Sequence, residues 1–154
     1  MSTYTDWVQA EQAQGLASLV LRYCGTVREI IQGAREPGFS IDSWGPLESL
    51  VAVDRFVRIG SFKEEVDWRG YLDLMTAWAP TTQYDFSFKR ITEAGRLVFL
   101  ELEERSVNSG ELDVVNSVTV YEFDENRKLI HLDVYLQRAF PGGVEAGWGT
   151  RASD

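Results

Sequence analysis

One histidine, one cysteine, 24 acidic and 15 basic side chains are what this 154-residue chain has for chemistry. A usual zinc or iron site needs several His or Cys ligands, which His131 and Cys24 cannot supply, and no motif spaces the histidine with carboxylates as ligands. A Ser-His-Asp or Cys-His arrangement would have to use His131, on the polar side of a strand pattern, and Cys24 sits inside an apolar helix pattern. His131 therefore reads as a solvent-facing or subunit-contact residue. No glycine-rich loop leads into a helix that would cradle phosphates, which argues against nucleotide cofactors. What remains is cofactor-free chemistry run by carboxylates, tyrosines and the shape of a cavity. Five Trp, six Tyr and eight Phe are enough rings to wall a pocket as well as fill a core.

Charge and composition narrow the partners. The net charge is −9 with no cluster of Lys or Arg, so nucleic-acid phosphates and anionic lipid are both repelled. The opening MSTYTDWVQAEQ is acidic and polar, unlike a signal peptide, and no apolar run approaches the roughly 20 residues that span a bilayer. One cysteine excludes an internal disulfide. The expectation is a cytoplasmic protein that takes an apolar small molecule and binds neither nucleic acid nor membrane.

The elements that must position such chemistry fall into two halves. Leu16, Leu19, Val20, Tyr23, Val27, Ile30 and Ile31 share one face of a helix of period 3.6, which Gly25 could split in two. Gly33–Gly45 carries turn formers throughout and reads as a loop, and Pro46 opens a short helix through Leu50. Val51–Ile59 reads as a strand with Ala52, Asp54, Phe56 and Arg58 on one face. Asp67 is placed to cap a helix over Trp68–Ala79, which Pro80 ends. Its stripe of Trp68, Tyr71, Leu72, Met75 and Trp78 has core spacing, with Trp78 counted among the candidate ligand contacts. Four strand patterns then follow without helical interruption: Tyr84–Ile91, Arg96–Val107, Leu112–Phe123 and Leu129–Arg138. Helices followed by an antiparallel meander predict an α+β domain, residues 1–140, in which N-terminal helices and a curved, cone-shaped sheet enclose a pocket. Residues 141–154 have no periodicity and read as a surface tail.

In this order of elements the chain resembles the nuclear-transport-factor-2-like superfamily, whose fold is cystatin-like. That superfamily includes ketosteroid isomerases, SnoaL-like polyketide cyclases and limonene-epoxide-hydrolase-like proteins. The likeness is one of pattern over Leu16–Gln137, carried by VVNSVTVYEFDENRKLIHLDVYLQ (Val114–Gln137), LVLRYCGTV (Leu19–Val27) and VAVDRFV (Val51–Val57). By resemblance to the isomerases, Asp54 takes the place of the proton-shuttling aspartate and Tyr23 that of the oxyanion-binding tyrosine. Their second, protonated acid falls at Thr119, which donates one hydrogen bond but does not match a buried carboxylic acid. The Asp-Arg-Asp trio of the epoxide-hydrolase-like members does not carry over: the matching strand offers Glu101 and Glu103, and Val134 stands where the last strand would supply an aspartate.

If Thr119 faces the pocket, alternation brings Val115, Ser117, Tyr121 and Phe123 with it, and Leu132, Val134 and Leu136 from the last strand. Asp54 is then either a base with its pKa raised by desolvation, or the partner of Arg55 or Arg58 at the sheet edge. Tyr23 is either an oxyanion donor or a core residue with its hydroxyl satisfied. Glu101 points outward if the turn is Asn108-Ser109, which pairs it with Asn116. It points inward if the turn is Asn108–Gly110, which pairs it with Ser117. The outer sheet face, with Val114, Val118 and Val120, needs cover, and a homodimer through it is expected, as the resemblance also implies. The functional expectation is a cofactor-free isomerase or cyclase that moves a proton beside a carbonyl. The alternatives are a non-catalytic binding or dimerisation domain, and an epoxide-hydrolase-like or dehydratase-like lyase.

Overall fold

The computed structural model describes residues 1–143, so the candidate tail beyond residue 143 lies outside the described residues. Among the described residues seven strands form one sheet: β1 (Ser2–Tyr4), β2 (Val57–Ile59), β3 (Glu65–Asp67), β4 (Thr82–Ala94), β5 (Leu97–Asn108), β6 (Glu111–Phe123) and β7 (Leu129–Arg138). Their spatial order is β1-β4-β5-β6-β7-β2-β3, antiparallel throughout except where β2 runs parallel to β7. Three α-helices complete the fold: α1 (Trp7–Gln12), α2 (Leu16–Gln32) and α3 (Trp68–Trp78).

The four long strands follow the apolar alternation in the sequence, and their registers fix which side faces the helices. Val98, Leu100 and Leu102 of β5 stand opposite Tyr121, Thr119 and Ser117 of β6, and all but Thr119 are buried. The β5–β6 hairpin turns on Ser109 and Gly110, both with positive φ (53° and 79°), as the favoured two-residue hairpin turn requires. Asn108 thus pairs with Glu111, and Glu101 with Val118. This register is neither of the two the sequence suggested, but it shares the parity of the Asn108-Ser109 turn, so Glu101 and Glu103 face outward.

α2 runs unbroken through Gly25. Its buried side carries Leu16, Val20, Tyr23 and Ile31, which lie on the inner sheet face. Gly15 supplies no capping side chain. Instead the Glu93 carboxylate of β4 accepts from the N–H groups of Leu16 and Ala17 at 3.1 and 3.0 Å. A Cβ at residue 15 would stand 2.5 Å from that carboxylate, so this docking needs glycine. α3 begins where expected, with Asp67 accepting from the Gly70 N–H at 2.8 Å. The stretch expected to be loop and then short helix holds a 3-10 helix, Ile41–Leu50, capped by Ser40. It buries Trp44, Leu47 and Leu50, an apolar set that the surrounding turn formers masked.

The strand expected over Val51–Ile59 is shorter. Val51 makes one bridge to Leu129, residues 53–55 form a turn, and only Val57–Ile59 runs as strand. No helix among the described residues is long and apolar enough to cross a membrane.

Candidate functional site

Between α2, α3 and the inner sheet face lies a cavity of about 510 Å³. Tyr23 and Cys24 form one wall from α2. Tyr71, Met75 and Trp78 come from α3, and Thr119, Tyr121, Leu132 and Val134 from the sheet. The exposed residues Leu74 and Trp78, with the Asp113–Arg138 ion pair at 3.2 Å, lie at its solvent side. A volume of this size holds an organic molecule of ordinary ligand dimensions.

Six of the eight residues singled out from the sequence line this cavity: Tyr23, Thr119, Tyr121, Trp78, Leu132 and Val134. Ser117 is buried on the inner face, but it does not reach the cavity wall. Asp54 is a correction. The strand begins too late to carry it, so it sits exposed in the turn before β2 and does not line the cavity. Nor does it pair with either arginine. Arg55 instead binds Asp124 at 2.7 Å, and Arg58 approaches Glu64 at 3.5 Å.

Glu104 is the residue the sequence reading passed over. It continues the inward alternation of Leu100 and Leu102 by one more step, facing the cavity beside Val115. Its carboxylate accepts a hydrogen bond from the Tyr84 hydroxyl across the β4–β5 pair. Burial pushes the Tyr84 pKa far up, and the Glu104 charge raises it further, so that phenol stays a donor. Burial raises the pKa of Tyr71 and Cys24, which line the same cavity as Glu104. A signal for Glu104 was present in the period of two. The charged run Glu103-Glu104-Arg105 concealed it by resembling a solvated stretch.

The hydroxyls are deep. Tyr23 is 4% exposed, and its oxygen is closed off from solvent without a hydrogen-bond partner among the described residues. Burial foremost, then neighbouring Tyr71, holds its pKa well above the ordinary tyrosine value. Its ring meets Tyr121 edge-on at 6.0 Å, and the Tyr121 hydroxyl lies 3.3 Å from Cys24 Sγ. Burial pushes the Cys24 thiol up to about 12, so it is no nucleophile near neutral pH. Arg58 completes the polar set. It sits beside Leu132 across the parallel β2–β7 pair, with its guanidinium carbon 4.7 Å from the centre of the Tyr71 ring. Among the described residues no group of three His, Cys, Asp or Glu side chains is placed to hold a metal ion.

The outer face is more polar than expected. Val114 and Tyr135 are exposed there, but Arg90–Glu101 (2.8 Å), Arg105–Glu103 (3.1 Å) and the chain Lys89–Asn116–Gln137 (2.6 and 2.9 Å) surround the valines.

Helices cover one side of the sheet, and Tyr23, Tyr84, Glu104 and Arg58 line the space between them. Solved structures match this chain, among them a nuclear-transport-factor-2-like (NTF2-like) protein from Cytophaga hutchinsonii with a TM-score of 0.53 at 14% identity, over 80% of this chain and 90% of that one. A SnoaL-like polyketide-cyclase-type protein from Shewanella putrefaciens matches with a TM-score of 0.61 at 14% identity, over 84% of this chain and 85% of that one. An LEH-like epoxide hydrolase of M. tuberculosis matches at 0.56 and 12%, over 78% and 84%. A steroid delta-isomerase from Pseudomonas aeruginosa matches at 0.55 and 13%, over 79% of each chain. No protein-family model and no curated protein sequence matches. Identities this low show the fold alone, and the fold is nuclear-transport-factor-2-like.

Proposed function

We propose that this protein is a small cofactor-free enzyme of the isomerase or cyclase type that transfers a proton beside a carbonyl of a largely apolar molecule. The observation that carries the reading is Glu104, a carboxylate on the cavity wall held by Tyr84, in the same cavity as the unpartnered Tyr23 hydroxyl. The Tyr84 hydrogen bond fixes one carboxylate oxygen and leaves the other to take a proton from the carbon next to the carbonyl. As that C–H bond breaks, its electron pair moves into the carbonyl, and Tyr23 donates to the oxygen that gains charge. The proton then returns from Glu104 to another carbon of the same molecule, so the reaction needs no co-reactant. Apolar walls from Leu132, Val134 and Met75 keep water from competing.

The test is exchange of ligand α-protons with heavy water, followed by NMR across a set of apolar ketones. Wild-type protein should accelerate exchange for at least one ketone, and Glu104→Gln should reduce that acceleration by at least about 10²-fold. Equal exchange in the variant would remove Glu104 from the reading. Binding without any exchange would favour a ligand-binding module on the same fold. We also propose a homodimer through the outer face, for which the exposed Val114 and Tyr135 supply the apolar contact. Sedimentation that finds only a 17.5 kDa species at micromolar protein would overturn it.

A further inference from the structure

The cavity holds two opposite charges that do not neutralise each other. Among the described residues no ion pair joins Arg58 to Glu104, although both line it. Glu104 has its partner in Tyr84. The other two charged wall residues, Asp113 and Arg138, pair with each other at 3.2 Å. Arg58 is the least compensated of the four, with only a long ion pair to Glu64, which is not a wall residue. Its side chain is 18% exposed, and its only polar contact among the described residues is Nη1 to Glu64 Oε1 at 3.5 Å, the limit of a hydrogen bond. Glu64 is itself held elsewhere, accepting from the Phe62 N–H at 2.9 Å. Arg58 Nε is buried and bonds to nothing among the described residues.

The unused donors lie on one edge. In a guanidinium, Nε–H and the neighbouring Nη2–H point the same way and form the fork that receives two oxygens of a planar carboxylate. The contact to Glu64 uses Nη1 and Nε is closed off from solvent, so Nη2 is the free donor that the group keeps toward the cavity. The face of the group rests on the Tyr71 ring, which restrains its plane. A charge with this little compensation is costly to hold in a half-closed site, and a bound anion removes the cost.

We infer that the ligand of this cavity is an apolar carboxylic acid, whose carboxylate docks against Nη2 of Arg58 while its hydrocarbon part lies on Leu132, Val134 and Met75. This inference shares with the proposed proton transfer the premise that the cavity binds a ligand, but it requires no turnover. It narrows the substrate class to molecules with an acid at one end and the reacting carbon within reach of Glu104.

Calorimetric titration of the full chain with naphthylacetate, phenylbutyrate and decanoate, each against its own primary amide, tests this. At least one acid should bind wild-type protein about tenfold or more tightly than its amide, since each pair differs in little but charge. Arg58→Gln should abolish that preference, and Arg58→Lys should restore part of it, because the charge returns without the planar guanidinium. Circular dichroism and thermal melting establish that both variants fold. Glu104→Gln should leave the preference intact or increase it, so a failure of the proton-transfer reading is separable from a failure here. Four outcomes overturn the inference: amides binding as well as acids, an acid preference that survives Arg58→Gln, no acid binding at all, or tighter binding of naphthalenesulfonate than of any carboxylate.

Discussion

Replacing Tyr23 with phenylalanine should move stability and turnover in opposite directions. The hydroxyl is buried without a partner among the described residues, and a buried donor in that state costs about 1–3 kcal/mol. Its removal breaks no hydrogen bond of ordinary length, only a longer contact with the Tyr71 hydroxyl. The ring stays edge-on to Tyr121 and keeps its place in the core. Against the gain stands a void of one oxygen atom, worth a fraction of the cost of a deleted methyl group. The expected net change is a stabilisation of up to about 1 kcal/mol, or roughly 2–4 °C in Tm for a domain of this size. Turnover should fall about tenfold to 10²-fold, through loss of one donor to the developing oxyanion. Urea denaturation gives the first quantity and steady-state kinetics the second. Because the raised pKa keeps Tyr23 protonated through the neutral range, its removal should leave the neutral part of the pH–rate profile unshifted. A variant destabilised by more than about 1 kcal/mol would refute the reasoning, since the hydroxyl would then have a structural partner.

Two further predictions concern the frame around the site. Glu93→Ala removes the carboxylate that caps α2 from β4 and should destabilise the protein by about 1–2 kcal/mol, read from urea midpoints. Alkali should also destabilise it, because burial raises the pKa of Tyr23, Tyr71, Tyr84 and Tyr121 and pushes Cys24 up to about 12. The unfolded chain loses these protons first, so their contribution is complete below about pH 8.5–10 and is lost as pH rises toward the folded values, by at most about 1.4 kcal/mol per group per pH unit. Urea midpoints that stay flat from about pH 9 to pH 11 would contradict that burial.

The fold was legible where periodicity is long. The four meander strands and α3 with its Asp67 cap could be read because each repeats its pattern over ten or more residues. β1 and β3 have three residues each and α1 has six, too short for a period to show. The site was legible in part for the same reason. Thr119, Tyr121, Leu132 and Val134 follow once one of them is known to face inward. Asp54 failed because its position depended on where a strand begins, the least constrained feature of a pattern. The turn over residues 53–55 carries it out to solvent. Arg58, three residues past that turn, was grouped with Asp54 on one strand face, and it alone enters the cavity.

The two faces of the sheet settle their polar groups differently, and this difference argues for a ligand more strongly than the fold does. On the outer face Arg90, Arg105 and Lys89 all have partners, and His131 lies 3.2 Å from Asp133. The buried side-chain polar atoms without one, among the described residues, are Tyr23 Oη, Arg58 Nε, Ser117 Oγ and Trp68 Nε1. Two of these belong to cavity-lining residues, Ser117 shares the inner face, and Trp68 packs on Tyr71, which lines the cavity. At about 1 kcal/mol or more apiece, four such atoms would consume a large part of the 5–15 kcal/mol by which a domain is usually stable. Apolar replacements of similar shape exist for Tyr23 and Ser117, in Phe and Ala, so packing alone does not explain the hydroxyls. Arg58 Nη2, by contrast, is not closed off, and an acid bound against it would offset a charge that Glu64 at 3.5 Å offsets only in part.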